Sequence, residues 1–255
     1  MTETVTRFSD RYADSVFERT SSRLRALQPD HPRVYAVAAV AEHGRRRWWK
    51  LSDGLREGRI ELMYRRHAAE MTDPDIAAEV VATALVHAVV GRVAALWVMD
   101  GRAWDPGLDN LWVHNDNDGG LDWAGLEDTT LRVLDGDPLC GRSGVVALPC
   151  EAAMAVWLAH RCEASLSLVH NGLARCSRLS ARRFWSLVGE SVVGAATYVP
   201  DLARMDPLVG ARRGQALMAA LGDRGLPVRR SAFPQNRGRA EVRSPGGVPH
   251  TLRVR

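Results

Sequence analysis

Lysine and cysteine are both scarce in this chain. Of its 34 basic residues only Lys50 is a lysine, a bias typical of high-GC bacterial genomes such as those of actinobacteria. The four cysteines are Cys140, Cys150, Cys162 and Cys176, and no two of them form a Cys-x-x-Cys pair. This spacing argues against a zinc or iron-sulfur knuckle and favours reduced, mostly buried thiols in a cytoplasmic protein.

The sequence also lacks an uninterrupted apolar run of membrane-spanning length. The longest candidate, 76–99, contains Glu79, His87 and Arg92, whereas a span needs about 20 apolar residues. Residues 1–20 are charged throughout and lack the apolar stretch of a secretory signal. We therefore predict a soluble, cytoplasmic protein with no membrane partner.

Cofactor fingerprints are missing as well. The sequence contains no G-x-G-x-x-G and no P-loop. The stretch HNDNDGG at 114–120 resembles the start of a calcium loop, but the twelfth position is Gly125 instead of a bidentate glutamate. We therefore predict no cofactor and no bound metal.

What is present is a globular composition, with 46% hydrophobic residues in 255. Apolar periodicity and capping signals predict an α+β fold, a mainly helical single globular unit with a small strand or hairpin region. Asp73 as N-cap before Pro74 gives the best start signal, for a helix that is apolar almost all round. The predicted helices are 9–28, 33–43, 73–99, 149–174, 180–202 and one within 206–227. Residues 110–126 are predicted to form a hairpin, or a strand followed by a turn.

Composition divides the chain into three regions. Residues 1–72 are helical or irregular, residues 73–225 form the helical core, and residues 226–255 form a basic arm. Within the core, the segment 100–137 carries ten acidic residues and only two arginines. The arm has the opposite balance, with seven arginines and one glutamate.

Two polar stripes lie on otherwise apolar helices. Glu79, Thr83 and His87 are spaced i, i+4 and i+8, so they share one helix face. Such groups either bond to neighbouring helices within the core or line a pocket, where a carboxylate and an imidazole suit proton transfer. The sequence leaves both interpretations open, and we expect both stripes to face one cavity.

The second stripe is Arg182, Ser186 and Glu190, at the same spacing. Arg182 and Arg183 fall in the first turn of their helix, where the dipole disfavours cations, so a negative group should offset them. Either a carboxylate from 100–137 or the anionic group of a ligand would supply this negative charge.

Three glycines in the core carry further information. Gly189 and Gly194 lower helix propensity and suggest close approach by a backbone or a ligand. His170 and Asn171 precede Gly172, and this trio is either a helix C-cap or part of a binding site.

Three stretches together resemble a known family. They are 82–114 (ATALVHAVVGRVAALWVMDGRAWDPGLDNLWVH), 181–198 (ARRFWSLVGESVVGAATY) and the ending RRSAF…RSPGG. In order and spacing they resemble the FhuF-type ferric-siderophore reductases, which are related to the C-terminal part of IucA/IucC siderophore synthetases. The resemblance covers about residues 76–200 and the arm, and it implies an FhuF-like fold.

The same resemblance implies a [2Fe-2S] cluster that this sequence cannot hold. The family's cysteine pairs fall here on Ala232 and Phe233 and on 248–251, which contain no cysteine and a single His250. Such a cluster needs four thiolate or imidazole ligands. The resemblance therefore suggests a degenerate member with another task.

We predict a non-redox enzyme, or the substrate-binding subunit of one, in specialised-metabolite biosynthesis. It would act on a small anionic, amino-acid-derived intermediate, for example by aziridine-type ring closure with loss of sulfate or phosphate. The alternatives are a siderophore-binding accessory protein that has lost its cluster and a reductase with a replacement cofactor. The predicted catalytic residues are Glu190, Glu79 and His87, and the predicted substrate-binding residues are Arg182, Arg183, Ser186, His170, Asn171 and Trp185.

The arm is predicted to bind a partner. An acidic carrier protein or a second small subunit would contact Arg229, Arg230, Arg237 and Arg239. The arm could instead fold back onto the acidic segment 100–137. Nucleic acid is an unlikely partner, because the arm lacks interleaved aromatic residues other than Phe233.

Overall fold

The computed structural model describes residues 15–40, 47–116 and 120–229. These residues form one mainly helical unit with two small sheets, which confirms the predicted α+β class. The helices are α1 (Val16–Arg25), α2 (Leu51–Arg56), α3 (Arg59–Glu70), α4 (Pro74–Asp100), α5 (Glu151–Ala174), α6 (Ala181–Ala203) and α7 (Pro207–Asp223). The strands are β1 (Val37–Ala39), β2 (Trp48–Lys50), β3 (Leu111–Asn115), β4 (Leu121–Leu126), β5 (Leu131–Leu134) and β6 (Val145–Leu148).

Helix α4 is the centre of the core. Asp73 caps it by accepting a hydrogen bond from the Asp75 amide at 2.8 Å, as the sequence predicts, and the helix ends at Gly101 in the left-handed conformation (φ 68°). By length and composition α4 could cross a membrane, but 78% of its most apolar window is buried inside the protein. This burial fits the core helix of a soluble protein.

The predicted hairpin is present and belongs to a four-stranded sheet. Its strands β3 and β4 are antiparallel, and the sheet order is β1-β4-β3-β2 with β1 parallel to β4. Strands β5 and β6 form a separate parallel pair.

The predicted helix 33–43 is wrong for its described residues 33–40, and residues 41–43 lie outside the described part. Residues Pro32–Tyr35 form one 3-10 turn, and Val37–Ala39 then pair with β4. All three β1 residues are buried, so their apolar run reflects a strand covered on both faces rather than a helix. The first helix begins at Val16, within the predicted 9–28, and the residues before 15 lie outside the described part.

The three late helices are confirmed with small changes at their ends. Helix α6 starts after Ser180, whose hydroxyl accepts a hydrogen bond from the Arg183 amide, and it runs through Pro200 to Ala203. The interpretation of Gly172 as a C-cap is wrong, because α5 continues to Ala174. A side chain at Gly172 would press on Leu55, so this glycine permits close packing.

The cysteines are free thiols, but they are less buried than predicted. Cys162 is buried, Cys176 is half-buried, and Cys140 and Cys150 are exposed. Cys140 lies between β5 and β6 and Cys150 follows β6, and the spacing of the cysteines in the sequence does not reveal that either is exposed.

Five of the ten acidic residues in the segment 100–137 form ion pairs with arginine or lysine, four of them with cations from elsewhere in the fold. Its pairs are Asp100 with Arg23, Asp105 with Arg161, Asp122 with Arg33 and Glu127 with Lys50, and Asp137 pairs with Arg102 inside the segment. These pairs leave fewer carboxylates available for a basic arm folded back over the segment. Within the arm, Arg230, Arg237 and Arg239 lie outside the described residues.

Candidate functional site

The two polar stripes meet across the contact between α4 and α6. The Arg183 guanidinium donates two hydrogen bonds to the Glu79 carboxylate, at 2.8 and 2.6 Å, and a third to Glu190 Oε1 at 2.8 Å. The Ser186 hydroxyl donates to the same Glu190 oxygen at 3.1 Å. One arginine therefore joins two carboxylates, a strong paired geometry for Arg and Glu.

Within this triad of charged side chains, Glu79 and Glu190 offset the charge of Arg183 in the first turn of α6. The hydrogen bond to Glu79 is the main reason that the pKa of Arg183 is raised above its usual range. The compensating carboxylate thus comes from α4 rather than from the acidic segment 100–137. Arg182 is exposed and forms no ion pair among the residues that the structure describes.

A cavity of about 340 Å³ opens beside the triad, between α4, α6 and the turn Pro32–Tyr35. We call it the α4/α6 cavity. Its polar lining consists of Tyr35, Thr83, His87, Glu190, Ser191 and Tyr198. Both stripes contribute to it, through Thr83 and His87 on α4 and through Glu190 on α6.

His87 is held in one tautomer. Its Nε2 lies 2.7 Å from the Val34 carbonyl oxygen, and because a carbonyl only accepts, Nε2 must carry the hydrogen. Burial, aided by the positive charge of Arg92, lowers the pKa of His87 to about 4. The imidazole is therefore neutral near pH 7, with Nδ1 as a hydrogen-bond acceptor.

Arg92 fixes the turn that His87 contacts. Its guanidinium is buried and donates to the Arg33 carbonyl at 3.2 Å and to the Asp122 carbonyl at 3.0 Å. Burial lowers the pKa of Arg92 to about 10. His87 and Arg92 together anchor successive carbonyls of the turn Pro32–Tyr35 and so hold Tyr35 at the cavity.

A π-helical turn, His87–Gly91, interrupts α4 at the cavity. π-turns of this kind are frequent at functional sites. A Cβ on Gly91 would overlap His87 Nδ1, so glycine is needed there for the observed position of the ring. The Tyr35 and His87 rings lie 6.1 Å apart, and burial raises the pKa of the Tyr35 hydroxyl.

A second depression, of about 510 Å³, adjoins the cavity and shares Glu190, Gly194 and Tyr198 with it. We call it the Arg229 groove, because Arg229, the last described residue, lines it. The close approach predicted at Gly189 is confirmed, since a Cβ there would overlap the Val228 carbonyl. Among the described residues, a Cβ at Gly194 would meet no atom within 4 Å, so no described backbone approaches there, and Gly194 lines the cavity.

Of the six predicted substrate-binding residues, only Ser186 lines either depression, and it lines the Arg229 groove. Arg182 and Arg183 line neither depression, and the other three predicted residues lie elsewhere. His170 Nε2 is 3.3 Å from the Leu179 carbonyl, and its ring packs on Phe184. Trp185 is buried in the core, and Asn171 is exposed on α5. None of the three lines the α4/α6 cavity or the Arg229 groove.

Sequence reasoning missed Tyr35, Gly91 and Tyr198. Tyr198 follows Glu190 by eight residues on α6, so the spacing that revealed the stripes also predicts it. Gly91 follows His87 by four residues, but nothing in the sequence marks the π-turn. Tyr35 escapes notice because its segment has the pattern of a helix.

Among the described residues, no group of three or more His, Cys, Asp or Glu side chains is arranged to hold a metal ion. No protein-family model, curated protein or solved structure matches this chain. The resemblance to the FhuF type therefore stays a prediction from the three sequence stretches.

Proposed function

We propose that this protein is an enzyme, or the substrate-binding subunit of one, that holds a small polar molecule in the α4/α6 cavity. The observation that carries the proposal is the convergence of Glu190, the neutral His87 and two tyrosines on one concave site. A cavity of about 340 Å³ is within the size range of small-ligand pockets. Groups that can accept a proton next to such a pocket suit proton-transfer chemistry.

The substrate we propose is derived from an amino acid and carries an anionic group. Arg183 is engaged by two carboxylates, and so the Arg229 groove is the better place for the anion. A molecule lying across the shared residues Glu190 and Gly194 would put one end in the cavity and its anionic end beside Arg229.

The reaction we propose is ring closure with loss of sulfate or phosphate. The substrate nitrogen forms a bond to the carbon that bears the leaving group, and the carbon–oxygen bond breaks with its electron pair leaving on sulfate or phosphate. The proton lost by nitrogen passes to Glu190. The negative charge that develops on the leaving oxygen is stabilised by Arg229.

The remaining parts of the proposal concern origin and partners. We propose an FhuF-like ancestry with loss of the cluster, a cytoplasmic location, and delivery of the substrate by an acidic carrier protein that binds the arm. The position of Arg229 at the groove supports this last point, because the arm continues from the edge of the site.

A matched pair of glycine variants tests the proposal. Gly194→Leu fills the cavity, whereas Gly222→Leu adds the same side chain to α7, away from both depressions. At Gly222 too, a Cβ meets no atom of the described residues within 4 Å. A metabolite extract from cells with a high-GC genome is incubated with each protein, and the retained molecules are identified by mass spectrometry. We expect the original protein and Gly222→Leu to retain the same small molecules and Gly194→Leu to lose them. Equal retention by all three would overturn the proposal.

A further inference from the structure

We infer that the α4/α6 cavity receives a positively charged nitrogen, a primary or secondary ammonium group, between Glu190 and the rings of Tyr35 and Tyr198. The inference rests on the proposed function, because it names the part of the substrate that enters the cavity. It differs from the sequence-based expectation, in which arginines hold an anion at this site.

The charged side chains that join α4 to α6 beside the cavity have a negative excess. Glu79 and Glu190 both form ion pairs with Arg183, so these three side chains together carry two negative charges and one positive charge. Glu190 lines the cavity, whereas Arg183 does not. A cation entering the cavity would be attracted by this excess.

The other described groups of the lining do not reverse this excess. His87 is neutral because its pKa lies at about 4, and Thr83, Ser191 and the tyrosines are uncharged. The positive charge of Arg92 acts on His87, but its guanidinium is buried against the Arg33 and Asp122 carbonyls and does not line the cavity. Arg229 lines the neighbouring groove instead. The described lining thus contains one formal charge, and it is negative.

The uncharged groups also suit a cation. The faces of aromatic rings attract ammonium groups, and the cavity has Tyr35 on one wall and Tyr198, 65% exposed, on another. An ammonium group has hydrogens to donate and accepts none. Glu190, His87 Nδ1 and the hydroxyl oxygens of Thr83 and Ser191 are acceptors that match this requirement.

Three probes of equal length test the inference: n-butylammonium, n-butanol and butyrate. Binding to the full-length protein is measured by ligand-observed NMR at one ionic strength, for the original chain and for Gly194→Leu. We expect butylammonium to bind about tenfold more tightly than the other two, and the cavity-filling variant to abolish that binding.

Glu190→Gln tests the source of the preference. Without the Glu190 charge, Arg183 and Glu79 balance each other, so the preference for butylammonium should fall to about that of butanol. Glu163→Gln is the control, since Glu163 is also paired with an arginine, Arg224, but lies outside the cavity. The Glu163→Gln protein should keep the full preference for butylammonium over butanol.

The possible failures are distinguishable. If the neutral or anionic probe binds as tightly as butylammonium and Gly194→Leu abolishes binding, the cavity binds small molecules but the ammonium inference is wrong. If Gly194→Leu leaves the binding of every probe unchanged, the proposed function fails together with the inference.

Discussion

Arg183 of α6 and Glu79 of α4, which are 104 residues apart in the sequence, are joined by two hydrogen bonds of 2.8 and 2.6 Å. This pair connects the central helix to the helix that forms the opposite wall of the cavity. Because both side chains are only partly exposed, the pair is better placed to stabilise the fold than an ordinary surface ion pair.

The neighbouring arginines of α6 provide a direct comparison of bonded and unbonded cations. Arg183→Met should lower the free energy of unfolding by about 1 kcal/mol, because two carboxylates lose their shared partner. Arg182→Met should leave stability unchanged or raise it slightly, since Arg182 has no ion pair in the described residues and lies at the positive end of the helix dipole. Urea unfolding of both variants measures the difference, and equal effects would contradict the assigned role of Arg183.

Gly91 is predicted to be intolerant of even the smallest side chain. Gly91→Ala should displace the His87 ring and destabilise the protein by about 1–3 kcal/mol, a typical cost of overpacking. In a His87→Ala background the same change should be neutral or favourable, because the clash is gone and alanine favours helix. A double-mutant cycle measures this coupling, and additive effects would show that the ring does not occupy the space beside Gly91.

The low pKa of His87 predicts a pH dependence of stability. In the unfolded chain His87 has its ordinary pKa near 6.5, so it binds a proton there at a higher pH than in the folded protein, where the pKa is about 4. Its contribution to stability is therefore complete above pH 6.5 and is lost as the pH falls toward 4.

Between pH 6 and 5, the original protein should lose about 1 kcal/mol more stability than His87→Gln, which cannot titrate. Urea unfolding at several pH values measures both proteins, and subtraction removes the contribution of the carboxylates. Parallel pH profiles of the free energy of unfolding for the two proteins would mean that the pKa of His87 is not lowered in the folded protein.

The four thiols should react in order of exposure. Cys140 and Cys150 are exposed and should be alkylated quickly in the native protein, whereas burial raises the pKa of Cys162 to about 12. Since the thiolate is the reactive form, Cys162 should be modified only after unfolding. Mass spectrometry of peptides after timed alkylation gives the four rates, and rapid native modification of Cys162 would contradict its placement in the core.

The sequence predicted the helices that have strong local signals. Asp73 and Pro74 mark the start of α4, and Ser180 marks the start of α6, because capping depends on a few adjacent residues. The prediction for Val37–Ala39 was wrong, since a short buried apolar run has no periodicity that separates strand from helix.

The site was predictable only where helix spacing placed residues on one face. That spacing brought Thr83, His87 and Glu190 into consideration, and all three line the cavity. The pairing of Arg183 with Glu79 is a tertiary contact, and the sequence offers 30 acidic residues with no local reason to choose that one. For the same reason the sequence could not show that Arg183 is already paired with carboxylates.

The crystal structure of this protein with the molecule that it retains most strongly from a metabolite extract would test the account most directly. We predict that the molecule lies in the α4/α6 cavity, with its nitrogen within hydrogen-bonding distance of Glu190 and its anionic group in the Arg229 groove. A molecule bound elsewhere, or one whose anionic group lies against Glu190 in the cavity, would contradict the account.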